Sequence, residues 1–145
     1  MMRVLFDVNA LIALLDDGHV SHRIVHEWWA ANSSHGWATC PLTENGLARI
    51  MSQPSYKNRI TTTFAIDLLS EQMREGDHTF WPDDLSLTDI DWFFADAILG
   101  PNQITDVYLL ALAVKNDGRL MTLDRSIPLR AVRQAEARHL VMLGG

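Results

Sequence analysis

Four carboxylates in this 145-residue chain stand where chemistry could be done: Asp7, Glu44, Asp106 and Asp124. Asp7 closes the apolar run Val4-Leu5-Phe6, Asp124 closes Leu120–Leu123, and Glu44 and Asp106 fall in the first turns of predicted helices. Taken singly, each is explained as a cap, a turn residue or a partner of the helix dipole. Taken together they are not, because clustered carboxylates repel and each partly buried charge costs on the order of several kcal/mol unless compensated. No lysine or arginine is obviously placed among them. The simplest compensation is a hard divalent cation, Mg²⁺ or Mn²⁺, which favours oxygen ligands. Such an ion can activate water and steady the leaving oxygen of a phosphodiester.

The elements that must position these acids follow from pattern. Val4–Phe6 suits a strand covered on both faces. Asn9 is a candidate cap for a helix over Ala10–Leu15, ending near Asp16-Asp17-Gly18. Ser21 opens a second helix to Ala31, whose adjacent Trp28 and Trp29 fit either a wide core stripe or a groove for a partner helix. Gly36–Cys40 reads as a strand, and Pro41 suits the first position of the helix that carries Glu44. A loop over Gln53–Arg59, a helix over Thr61–Gly76 and a short strand at His78–Trp81 follow. Asp89–Leu99 reads as a helix with an acidic solvated face, and its run Trp92-Phe93-Phe94 hints at a subunit contact. The helix from Thr105 or Asp106 is apolar almost all round, which marks it as buried; Asn116-Asp117-Gly118 ends it, with Gly118 as the left-handed cap. Leu120–Leu123 and His139–Leu143 are the last strands, with a loop or weak helix between. This alternation predicts an α/β fold: a central, mostly parallel sheet with helices on both faces. In such a sheet the strand C-termini share one edge, where the four acids would converge.

Composition narrows the rest. The hydrophobic share of 48% and the chain length fit one domain over residues 1–145, without linker or repeat. Net charge is −6, so contact with a polyanion must be local or assisted by bound cations. The single cysteine, Cys40, rules out an internal disulfide and a cysteine-based zinc site. With no signal-peptide pattern and no apolar run long enough to span a bilayer, the expectation is a soluble, cytoplasmic protein with no membrane partner.

Asp7-Val8-Asn9, Pro41-Leu42-Thr43-Glu44-Asn45, Thr105-Asp106 and Thr122-Leu123-Asp124-Arg125 resemble the four signature points of the PIN domain, in order and spacing. The stretch Trp37–Gly46 is similar to that of the VapC toxins of bacterial toxin–antitoxin pairs, especially the mycobacterial-type group. The resemblance spans essentially the whole chain. It implies a three-layer PIN-like sandwich and a Mg²⁺- or Mn²⁺-dependent endoribonuclease that cuts structured RNA such as tRNA or rRNA, is restrained by a cognate VapB antitoxin and forms a homodimer. It also implies that Asp7, Glu44, Asp106 and Asp124 are the acidic quartet and metal ligands, with Asn9 and Thr105 orienting them. Many PIN domains carry a further acid two places after the fourth; here that place is Ser126, a departure that bears on a second metal position and leaves the first untouched. Arg49, Lys57, Arg59 and Arg125 are candidate RNA phosphate contacts. Two rival readings stand beside this one. An aspartyl phosphatase of the haloacid-dehalogenase kind wants an acid at the place of Asn9. A non-catalytic PIN-like module would dock RNA or protein without cutting it.

Overall fold

In the computed structural model, which describes residues 2–144, strands β1 (Val4–Phe6), β2 (Trp37–Thr39), β3 (His78–Phe80), β4 (Arg119–Thr122) and β5 (Leu140–Met142) alternate with helices α1 (Val8–Leu15), α2 (His22–Asn32), α3 (Pro41–Met51), α4 (Thr62–Gln72) and α5 (Ile104–Lys115). The strands form one sheet in the order β3-β2-β1-β4-β5, and every pairing is parallel. β1 lies at the centre, with Leu5 opposite both Ala38 and Leu120. All three of its residues are buried, which is why its sequence is uniformly apolar rather than alternating.

Side-chain alternation divides the core between the two faces of the sheet. Leu5, Ala38 and Leu120 pack against α5 and the irregular segments around Phe93 and Val132. Val4, Phe6, Trp37 and Met121 pack against α1, α2, α3 and α4. Trp28 and Trp29 belong to this second face: Phe6 meets their rings at 6.3 and 6.1 Å, and the Arg119 guanidinium lies 5.1 Å from the Trp28 ring centroid. The wide core stripe is therefore the reading that holds for the pair. α1 and α3 cross closely because Gly46 has no side chain; a Cβ there would come within 2.7 Å of Val8 Cγ2.

Three local expectations are corrected. Asp7, not Asn9, caps α1: its Oδ1 accepts from the Ala10 N–H at 2.7 Å, and Asn9 is the second helical residue, exposed. Asp89–Leu99 is not a helix but a series of turns with one 3₁₀ turn at Ala95–Ala97. Asp89 Oδ1 accepts from the Asp91 N–H at 2.9 Å, an Asx turn that competes with helix formation. The Phe94 N–H then donates to Ala131 O and the Arg133 N–H to Trp92 O, at 2.9 and 3.0 Å. This irregular path buries Phe93 and lets Trp92 and Phe94 pack partly on the same core, which one helix face could not do. After α5 the left-handed residue is Asp117 (φ 56°), not Gly118. Gly118 is needed for space, since a Cβ would come within 2.6 Å of the Arg3 carbonyl oxygen. No helix among the described residues is long and apolar enough to cross a membrane.

Candidate active site

The pairing of β1 with β4 brings two of the acids to one edge. The Asp7 N–H donates to the Met121 carbonyl at 2.9 Å, and the chain leaves β4 through Leu123 to Asp124. The third acid, Asp106, sits in the first turn of α5, whose residues Val107–Val114 are all buried. That helix is held on every side, so Asp106 has a rigid mount.

Asp7 is 3% exposed. Its carboxylate accepts a hydrogen bond from the Ala10 N–H at 2.7 Å and the neighbouring Thr122 hydroxyl also favours the charged form, yet burial, with the negative charge of Asp124 added, still pushes its pKa up to about 6. Asp106 is raised further, to about 7, by burial first and then by the charges of Asp7 and Asp124. Asp124 goes the other way. The Ser126 hydroxyl and N–H both donate to its Oδ1, at 2.7 and 2.8 Å, and hold its pKa below the usual carboxylate range. Among the described residues, no lysine or arginine forms an ion pair with any of these acids.

The fourth acid is placed differently. Glu44 lies in the first turn of α3, partly exposed, and its Oε2 accepts from the Thr39 hydroxyl at 2.6 Å. Asp7, Asp106 and Asp124 feel one another's charge, and Glu44 is not among the groups that perturb them. Among the described residues, no three acidic, histidine or cysteine side chains already stand in coordinating geometry. The acids thus share a neighbourhood rather than a preformed cage. The donor set still fits a hard divalent cation. It consists of carboxylate oxygens, and two of its members carry raised pKa values with no cationic partner to relieve them.

The orienting groups are not the expected ones. Asn9 and Thr105 are both exposed, and neither hydrogen-bonds to an acid. Thr122 and Ser126 act instead. The buried Thr122 hydroxyl accepts from the Asp124 N–H at 2.9 Å and lowers the Asp7 pKa, so one group serves two of the acids. Ser126 fills the place of the further acid and spends its donors on Asp124. A signal for Ser126 was present in the Asp-x-Ser spacing of an Asx turn; Thr122 had only a strand position two residues before Asp124.

Of the four candidate phosphate contacts, Arg125 alone adjoins the acidic edge. It is exposed, and its guanidinium donates to the Gly144 carbonyl at 2.7 Å. Arg49 lies in the last turn of α3, Arg59 donates to the Ser52 carbonyl at 3.0 Å beyond it, and Lys57 is exposed in the loop between. Arg49 is about 7.5 Å along α3 from Glu44 at the usual rise per residue, and Lys57 and Arg59 lie in the segment that follows α3.

Comparison with known proteins agrees with this geometry. The PIN domain family matches residues 4–133. Ribonuclease VapC44 of Mycobacterium tuberculosis is 44% identical over 142 residues, covering 98% of this chain and all of that protein. Ribonuclease VapC38 of the same species is 42% identical, with 85% and 86% of the two chains covered. The crystal structure of VapBC2 from Rickettsia felis, bound to a DNA fragment from their promoter, superposes with a TM-score of 0.60 over 98% of each chain at 12% identity, a likeness of fold. With a family match over most of its length and relatives above 40% identity that it spans almost completely, this chain belongs to the VapC family of PIN-domain proteins.

Proposed function

We propose that this protein is the toxin of a type II toxin–antitoxin pair and a Mg²⁺- or Mn²⁺-dependent endoribonuclease, hydrolysing phosphodiester bonds in structured RNA such as tRNA or rRNA. The observation that carries this reading is the burial of Asp7 beside Asp106, both with raised pKa and neither with a cationic partner. Names of relatives support it, since VapC44 and VapC38 are called ribonucleases. The VapBC2 complex supports an antitoxin of the VapB type as the restraining partner. The proposal extends to a single PIN domain over residues 1–145, working in the cytoplasm as a homodimer.

Asp7, Asp106 and Asp124 would hold the ion, with Glu44 completing the set. A divalent ion bound there supplies charge for the phosphodiester oxygens and lowers the pKa of a water. The Ala10 N–H fixes the Asp7 carboxylate, and Ser126 fixes Asp124. Glu44 is the acid available to take a proton from the attacking water. Arg125, next to Asp124 and exposed, is the contact for the RNA backbone at this edge.

The test is cleavage of purified tRNA and rRNA with and without Mn²⁺, wild type against Asp106→Asn. Cleavage that needs the ion and disappears in the folded variant supports the reading. Cleavage without any divalent ion, or full activity in Asp106→Asn, overturns it. A non-catalytic docking module is the competing reading, and the absence of a preformed three-ligand cage among the described residues favours it. It predicts no ion-dependent cleavage of any RNA.

A further inference from the structure

His78 and Thr39 lie outside the acidic quartet, yet they form a chain that ends on it. Thr39 is 1% exposed. Its hydroxyl lies 2.6 Å from Glu44 Oε2 and 2.8 Å from His78 Nε2. The donors can be assigned from chemistry alone. A carboxylate only accepts, so the single Thr39 proton points to Glu44, and the 2.6 Å separation is that of a charge-assisted O–H···O⁻ bond. The Thr39 oxygen is then an acceptor toward His78, so His78 Nε2 carries hydrogen. The ring is held in place by β3, which pairs with β2 so that His78 lies opposite Trp37, with ring centroids 4.6 Å apart. Burial, helped by Arg3, lowers the His78 pKa, consistent with a neutral ring.

The same pattern recurs across the site. Asp124 has Oδ1 taken by Ser126, and Glu44 has Oε2 taken by Thr39; among the described residues neither has a hydrogen bond to its other oxygen. Anchoring one oxygen and leaving the second is how protein groups orient carboxylate ligands. We propose that Thr39 and, through it, His78 are positioning residues for Glu44: the chain from the edge strand fixes which Glu44 oxygen is held by the protein and which is left for a cation. This rests on the metal-site reading proposed above.

The test is Mn²⁺ binding by titration calorimetry on the full chain, using the metal alone, with folding checked by circular dichroism. Thr39→Val should weaken Mn²⁺ binding roughly tenfold, and His78→Phe by a smaller factor of about three, while Thr39→Ser should restore wild-type affinity. In a Glu44→Gln background both losses should vanish, which a merely structural role would not produce. Nitrogen NMR of His78 should show hydrogen on Nε2 in the wild type, with that preference lost in Thr39→Val. Wild-type affinity in folded Thr39→Val, or equal losses with and without Glu44, overturns the proposal while leaving the metal site standing. If the wild type itself binds no Mn²⁺, the metal-site reading fails and this proposal falls with it. Should Thr39→Val not fold, His78→Phe and Thr39→Ser against Glu44→Gln decide the same question.

Discussion

Helix α1 begins at Asp7 and ends at Asp16; both are nearly closed to solvent, at 3% and 8% exposure, yet their carboxyls shift in opposite directions. Burial raises both. At Asp16 it is more than offset by the Tyr56 hydroxyl, the Asn58 amide, the Gly18 N–H and the charge of His19. The Gly18 bond is 3.0 Å and the closer Asn58 contact 3.1 Å. These donors are needed because Asp16 sits at the helix C-terminus, where the dipole disfavours an anion. Asp7 has the favourable end of the dipole and fewer donors, lies deeper in protein, and faces two further acids. Two buried aspartates on one helix therefore differ in whether the fold itself has satisfied them. Asp16 is a clasp that ties α1 to the loop after α3. Asp7 carries charge that the described protein leaves without a partner, and that is the mark of a site.

The sharpest way to break this contrast is Asp7→Asn. Asparagine is as good an N-cap as aspartate, so the helix start survives. Cleavage of RNA by the folded variant should fall by at least about 100-fold, since even groups behind a metal ligand cost that much; near-native activity would place Asp7 with Asp16 as structural. The metal-free protein offers a second route. The folded chain holds the Asp7 proton more tightly than the unfolded chain does, its pKa rising from 3.8 to about 6. Stability is therefore highest below the unfolded value and falls as pH rises through this window, by about 3 kcal/mol. Urea titrations from pH 4 to pH 7 should show that loss, and Asp7→Asn should flatten its share of it. Saturating Mn²⁺ should reverse the loss above pH 6, adding about 2.7 kcal/mol at 100 times the Kd.

At the other end of the helix, Asp16→Ala strands the Tyr56 hydroxyl and the Asn58 amide. We expect a loss of about 2–3 kcal/mol in urea unfolding, with cleavage by the folded protein unchanged. If Asp16→Ala instead removed activity at full stability, the contrast between the two ends would be lost. The smallest effects belong to the residues that the structure displaces from the site. Asn9→Ala and Thr105→Ala should each change stability by less than about 0.5 kcal/mol and leave Mn²⁺ affinity intact, whereas Ser126→Ala should weaken it by a few-fold.

Much of this arrangement could be read from the chain before any coordinates. The runs Val4–Phe6, Trp37–Thr39 and Leu120–Thr122 are apolar enough to be central strands, and Pro41 marks the start of α3, so the acids at their ends could be assigned to one edge. What escaped was whatever depends on partners remote in sequence. Phe94 and Trp92 bond to Ala131 and Arg133, and nothing within Asp89–Leu99 announces that pairing. Asn9 and Thr105 carried the right side chains in the right neighbourhood, but the first turn of each helix turns them outward. Thr39 reaches His78 across 39 positions, a distance that no local pattern encodes.

Where α1 and α3 touch, a hydrogen atom does the work of a side chain. Gly46 allows the two helices to lie against each other at Val8; Asp7 caps the first of them, and Glu44 stands in the first turn of the second. Adding a single methyl at that crossing would act as a wedge, prying the two acids apart without altering either. The spacing of the two helix starts is thus set by a residue that has no chemistry of its own.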